Sequence, residues 1–304
     1  MKYIDKHRNK RTFNAISCTY LKESYQEGIF YPHLHSTETY NNFSHKKYKH
    51  GDPGSTPNRG WLSILKEDQD SLCCYCMRRI NDEKDVSVEH LIPERMTDMN
   101  ADEEFKFYFL HSPYLAENVM STEEYEKRIE NEEIRIESCS RFPHLVAHGN
   151  LFWACNCDEY GCSCNNKRGN KRILPMMLME NVEDFTEYGD DGKFKISHED
   201  VEASKASLEN LNLNTSTLKT IRKTWYLLSR KKFNLDPSQD YSFEEKDRII
   251  RAILNKDETD IIDQEMTVFL TLDTPDGEQK DYYWNLLLQY NWFYGYYLRK
   301  FPPD

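Results

Sequence analysis

An acid and a base stand side by side in the stretch VSVEHLIPER, residues 86–95. Val86, Val88, Leu91 and Ile92 favour a strand, and Pro93 ends the run. A strand that needed only one buried face would not put Glu89 and His90 at its centre. Imidazole changes its charge close to neutral pH, so this pair is a candidate for acid–base chemistry.

Cysteines supply the second chemistry. CCYC runs from Cys73 to Cys76, and CNCDEYGCSC from Cys155 to Cys164. A C-x-x-C knuckle lets two thiolates converge on one zinc ion with little backbone strain, and two more from a distant cluster complete a tetrahedron. Cys73 and Cys76 are the first pair. Cys74 lies between them and points elsewhere. The second pair is open among Cys155, Cys157, Cys162 and Cys164, while Cys18 and Cys139 stand alone. Four thiolates would close the shell and leave no place for water, so the zinc is read as structural. Any catalysis then belongs between the knuckles, where Glu89-His90 and GNLFWAC (149–155) lie.

The order of these elements resembles the zinc-knuckle HNH endonucleases of the ββα-metal fold. The residues that carry it are Cys73-Cys74-Tyr75-Cys76, Val88-Glu89-His90-Leu91-Ile92-Pro93, Asn150-Leu151 and Cys164-Asn165-Asn166-Lys167-Arg168-Gly169. The resemblance implies that His90 is the general base that activates water for attack on a phosphodiester. It implies that Glu89 is a ligand of magnesium or manganese, with the amide oxygen of Asn165 as a second ligand. Asn150 would orient the loop that holds His90, with His148 as a neighbouring competitor. Cys155 and Cys164 would complete the zinc site, with NCDEYGCS an insertion between them. Lys167, Arg168, Lys171 and Arg172 would meet the phosphate backbone.

The elements that must position this chemistry suggest three regions. Residues 1–60 read as an irregular N-terminal arm, with His33, His35, His45 and His50, several lysines and a Gly/Pro stretch. Residues 61–180 form the nuclease-like domain, opening with a short helix at Trp61, Leu62, Ile64 and Leu65. Sixty positions separate His90 from Asn150, and an acid-rich segment, about 97–141, reads there as an insertion, mostly a solvated helical face. Residues 181–304 read as mainly helical. Leu218, Ile221, Trp225 and Leu228 recur at helical spacing, and Ser242 with Glu245 forms a capping box. The aromatic run DYYWNLLLQYNWFYGYYLRK (281–300) reads as a core helix, with a docking face for another chain as the alternative. The expected fold class is α+β: a zinc-knuckle ββα-metal HNH core with a large acidic insertion and a helical C-terminal region.

Within that family, the layout of polar N-terminus, core and helical tail (LENLNLNTSTLKTIRKTW, 208–225) is similar to the nuclease subunits, PtuB, of Septu-type anti-phage systems. Those work with an ATPase subunit, PtuA, which the resemblance makes the expected partner, with DNA as the expected substrate.

Composition sets limits on these expectations. The chain has 304 residues, 38% of them hydrophobic, 13% aromatic and 30% charged, which suits a folded protein with polar loops. Its net charge of −12 argues against a broad basic surface that grips nucleic acid unaided. Met1-Lys2-Tyr3-Ile4-Asp5-Lys6 carries no apolar leader, and no stretch reaches the roughly 18 apolar residues of a membrane span. A cytoplasmic chain is expected. There, nine cysteines are read as ligands or free thiols rather than disulfides.

Overall fold

The structure is a computed structural model that describes residues 1–26, 46–51, 59–93, 101–131, 140–156, 163–253 and 284–302. In chain order its elements begin with α1 (Lys10–Gln26), α2 (Lys46–His50), α3 (Trp61–Asp68) and β1 (Val86–His90). Then come α4 (Ala101–His111), α5 (Pro113–Asn118), β2 (Val119–Met120), α6 (Thr122–Glu130) and β3 (Phe142–Pro143). After these follow β4 (Leu151–Cys155), α7 (Cys164–Arg168), α8 (Val182–Phe185), β5 (Thr186–Tyr188) and β6 (Phe194–Ile196). The last are α9 (Val201–Leu211), α10 (Ser216–Arg230), α11 (Phe243–Ile253) and α12 (Trp292–Lys300). Mixed helix and small sheets fit the α+β expectation.

Strand β1 pairs antiparallel with β4, with Val86 opposite Cys155, Val88 opposite Trp153 and His90 opposite Leu151. Every residue of β4 is buried, because α3 and α7 both pack against it. That double cover explains why Leu151-Phe152-Trp153-Ala154-Cys155 is apolar throughout instead of alternating. Strand β1 has a mixed burial pattern, with Val86 and Glu89 buried and the others half-buried.

Residues 1–26 are no arm. Helix α1 carries Phe13, Ile16, Tyr20 and Leu21 at helical spacing, and all four are buried. Phe13 stacks on Trp61 of α3 with ring centroids 6.0 Å apart, and Ile4 N–H donates to Met177 O at 2.9 Å. The burial of that one apolar face holds the segment on the core. His33, His35 and His45 lie outside the described residues.

The acidic excursion is only partly a solvated face. Phe105, Tyr108, Leu115, Val119, Met120 and Tyr125 are buried, and β2 pairs parallel with β3. Asp102, Glu103, Glu117 and Glu123 are exposed, Glu104 is buried, and the apolar stripe joins the main core.

In the C-terminal region Leu218, Ile221, Trp225 and Leu228 form the buried face of α10, as their spacing predicts. Ser242 N–H donates to Glu245 Oε2 at 2.9 Å and Glu245 N–H to Ser242 Oγ at 3.3 Å, the reciprocal bonds of a capping box. The β5–β6 hairpin is unexpected in a region read as helical. Its strands have three residues each, too few to display a period of two.

Helix α12 packs on α10. Trp284, Tyr290, Phe293, Tyr296 and Tyr297 are buried among one another and the rest of the core. The aromatic run, in its described part, is therefore mostly core, with Trp292 and Tyr294 half-buried. The same region meets the first knuckle: Arg79 N–H donates to Gln289 O at 2.7 Å and Arg78 Nε to Gln289 Oε1 at 2.6 Å. One apolar cluster runs from Met1 to Tyr297, so the expected boundary near residue 180 is not a break in packing. No helix among the described residues is long and apolar enough to cross a membrane.

Trp225 is fully buried and its Nε1–H donates to Leu287 O at 2.9 Å. Trp225→Ala should cost roughly 3–5 kcal/mol, read as a lower urea midpoint. A loss under about 1 kcal/mol would contradict the docking of α10 on the segment before α12.

Candidate functional site

The first knuckle is a tight reversal. Cys73 N–H donates to Arg78 O at 2.8 Å and Met77 N–H to Cys73 O at 3.2 Å. Met77 turns the chain with a φ of 64°, in the left-handed region that side chains rarely adopt. On the other side, Cys155 ends β4 and Cys164 opens α7. The sulfur atoms of Cys73, Cys76, Cys155 and Cys164 all lie within 4.8 Å of one another, and all four residues are buried. Cys76 and Cys155 are 3.6 Å apart through sulfur. A tetrahedral zinc with metal–sulfur bonds of about 2.3 Å needs sulfurs spaced by roughly 3.8 Å, so this cluster could hold a metal ion such as zinc.

Burial raises the Cys73 thiol, yet hydrogen bonds from Cys155, Cys164 and Cys74 outweigh it and hold the thiol well below its ordinary value. Cys74 goes the other way, raised by burial and by the neighbouring Cys73 sulfur. It stays a neutral thiol, and its backbone N–H donates to Trp153 O at 3.1 Å, joining the knuckle to β4. Cys157, Cys162 and Cys139 lie outside the described residues.

His90 closes β1. Its Nε2 is 3.1 Å from Leu145 O, a partner that accepts only, so Nε2 carries the proton and Nδ1 the lone pair. Burial lowers its pKa to about 4, against the pull of the Leu145 bond and with help from the Arg168 charge. The ring is therefore neutral at pH 7. Asn150 is fully buried and acts as a clamp. Its Oδ1 accepts from Ile92 N–H at 2.5 Å, and its Nδ2 donates to Ile92 O at 3.0 Å and His144 O at 2.8 Å. The chain just after His90 is thereby fixed to the chain just before Leu145.

Glu89 and Arg168 depart from expectation. Glu89 is 3% exposed and Arg168 1% exposed, and they form a buried ion pair through Glu89 Oε1. Tyr75 Oη–H donates to the same oxygen at 2.8 Å. Arg168 Nη1 also donates to His90 O at 2.8 Å, Nη2 donates to Leu91 O and Tyr108 Oη, and Nε donates to Lys171 O at 3.0 Å. Burial pushes the Glu89 carboxyl up and the guanidinium opposes it. Arg168 is thus an interior strut and does not reach a phosphate backbone. Glu89 is not open as a ligand either: a divalent cation at its carboxylate would have to displace a guanidinium.

Asn165 is half-buried, and its Nδ2 donates to Ser87 Oγ at 2.8 Å, so the amide nitrogen faces the strand. The residues expected to bind magnesium or manganese therefore do not fit such an ion as they stand. Lys167 and Lys171 are exposed, and Arg172 is ion-paired with Glu104 at 2.7 Å.

A second buried charge cluster escaped the sequence reading. His148 Nε2 meets Asp68 Oδ2 at 2.6 Å, Lys6 Nζ lies 3.7 Å from the same oxygen, and Lys6 Nζ donates to Leu151 O at 2.8 Å. His148 is therefore a partner of α3, and Asn150 alone makes the clamp. Nothing in local spacing links positions 6, 68 and 148, so no sequence signal could have found this set.

Removing the guanidinium should be costly because it strands a buried carboxylate. Arg168→Met should lose roughly 3–5 kcal/mol, and the Arg168→Met/Glu89→Leu double variant should recover part of that in urea titrations. A double variant no better than the single one would contradict the ion pair.

No protein-family model, no curated protein and no solved structure matches this chain.

Proposed function

We propose that the chain is an endonuclease of the HNH type that hydrolyses phosphodiester bonds of DNA, with a structural zinc at Cys73, Cys76, Cys155 and Cys164. The observation that carries the reading is the setting of His90: a neutral imidazole, Nε2–H on Leu145 O, ending a strand pair whose Cys155 clusters with Cys164 at the start of the following helix. His90 Nδ1 takes a proton from water, the resulting hydroxide attacks phosphorus, the P–O bond to the leaving oxygen breaks, and that oxygen is protonated through solvent as the imidazolium gives its proton up. The family resemblance brings a magnesium or manganese ion as well. Glu89 is held by Arg168 and would have to leave it to hold that ion. By the same resemblance the nuclease acts beside an ATPase subunit in anti-phage defence.

A second reading has its own support. The burial of Glu89 against Arg168 favours a zinc-knuckle interaction module built on the same scaffold without catalysis. Nicking of plasmid DNA with magnesium or manganese, with and without EDTA, decides between the two, and an RNA substrate in parallel tests the alternative polymer. The nuclease reading expects nicking by the wild-type chain and a fall of about 10²–10⁴ in rate for His90→Ala. Undiminished cleavage by a clean His90→Ala preparation would sink it. The acid limb of the pH–rate profile should lie near 4 and not near 6.5, since protonation abolishes the base. Stability has the same sign. Burial lowers His90 and His148 to about 4, so the unfolded chain binds protons that the folded one refuses. Stability is full above pH 6.5 and falls as pH drops toward 4.

Metal analysis should find about one zinc per chain. Cys73→Ser should lose the ion and melt early, because ligation is coupled to folding. A stable, zinc-free Cys73→Ser protein would overturn the zinc assignment.

A further inference from the structure

The basic run that follows α7 is partly covered from within the chain. Arg172 Nη2 and Nε both donate to one oxygen of Glu104 on α4, at 2.7 and 3.0 Å. The guanidinium also lies over the Phe107 ring, 4.8 Å from its centroid. One turn further, Tyr108 Oη accepts from Arg168 Nη2 and from Ile173 N–H, which seats α4 along residues 168–173. The charge of Glu103 also acts on Arg172.

Two details separate this contact from the interior strut at Arg168. The Arg172 side chain is 40% exposed, so solvent and a polyanion can reach it. Glu104 spends a single oxygen on both donors, while its Oε2 is buried without a hydrogen-bond partner. Arginine commonly meets a carboxylate or a phosphate with two nitrogens on two oxygens. Here both donors share one oxygen, so the carboxylate is only half used and an anion with two free oxygens could pair with Arg172 more fully.

We infer that Glu104 occupies the phosphate place on Arg172 and competes with nucleic acid for it. The inference rests on the proposed nuclease reading and adds to it an internal brake on substrate binding. Lys167 and Lys171 remain on the surface as the outer contacts, and the strand must break the Glu104–Arg172 pair to gain the third. Exchange of one anion for another at Arg172 releases no counterion. The salt dependence of binding is therefore weaker than the number of basic residues implies.

The test is the affinity of the full chain for a labelled DNA duplex, by fluorescence anisotropy across a range of salt. Glu104→Gln keeps the shape and removes the charge. It should bind several-fold tighter at low salt, and the slope of log K against log salt should steepen by about 0.9, the value for one more neutralised phosphate. A merely structural role for Glu104 would not move that slope. In an Arg172→Gln background the gain should vanish. Wild-type binding with no gain in Glu104→Gln overturns this inference and leaves the nuclease reading standing. A gain that persists without Arg172 also overturns it, since net charge would then be the cause. Absence of binding by both proteins overturns both readings. Should Glu104→Gln melt below the assay temperature, the exposed Glu103→Gln variant replaces it. That variant should show a smaller gain in the same direction, and no gain there overturns the inference.

Discussion

A buried guanidinium sets the geometry of the whole candidate site. Taking a cation out of water costs several kcal/mol, which only close partners return. Arg168 has a partner for each of its five N–H groups: Glu89, His90 O, Leu91 O, Tyr108 and Lys171 O, with Tyr75 bridging to Glu89. These partners come from the knuckle, the end of β1, the acidic excursion and the basic run. None of the four can shift alone without stranding a charge. Helix α7 is only five residues long, yet its first residue is a cluster cysteine and its last is this arginine. Both of its ends are therefore fixed, one by sulfur and the other by charge.

The second buried cluster does similar work on the opposite flank. Asp68 accepts from His148 and from Asn9, and Lys6 lies beside it while donating to Leu151 O. Lys6 also lies over the Phe152 ring at 4.3 Å, and burial lowers its pKa to about 8. The N-terminal segment, α3 and the turn before β4 are thereby tied to one carboxylate. Strand β4 is thus held from both flanks, which suits a strand whose partner carries His90.

What could be read in the sequence was chemistry with short-range spacing. A C-x-x-C pair has to be local, so Cys73 and Cys76 announce themselves, and the capping box at Ser242 and Glu245 is local for the same reason. Strand β1 was visible through its β-branched residues, and α10 through its period. The inward turn of Arg168 was not, because a run of Lys167, Arg168, Lys171 and Arg172 looks alike from end to end. Only Tyr108 and Glu89, distant in sequence, separate the strut from its exposed neighbours. Helix α1 was missed because polar Asn14, Ser17 and Thr19 interrupt its apolar face. The aromatic run near the C-terminus was legible as core, and the burial of Phe293, Tyr296 and Tyr297 agrees with that.

The C-terminal region covers the sulfur cluster, since Tyr290 Oη–H donates to Cys76 Sγ at 3.7 Å across 214 positions. During synthesis the last cluster cysteine, Cys164, leaves the ribosome long before Tyr290 does. At about 5–20 residues per second, the delay is on the order of ten seconds. All four cluster cysteines are therefore synthesised before the residue that caps Cys76.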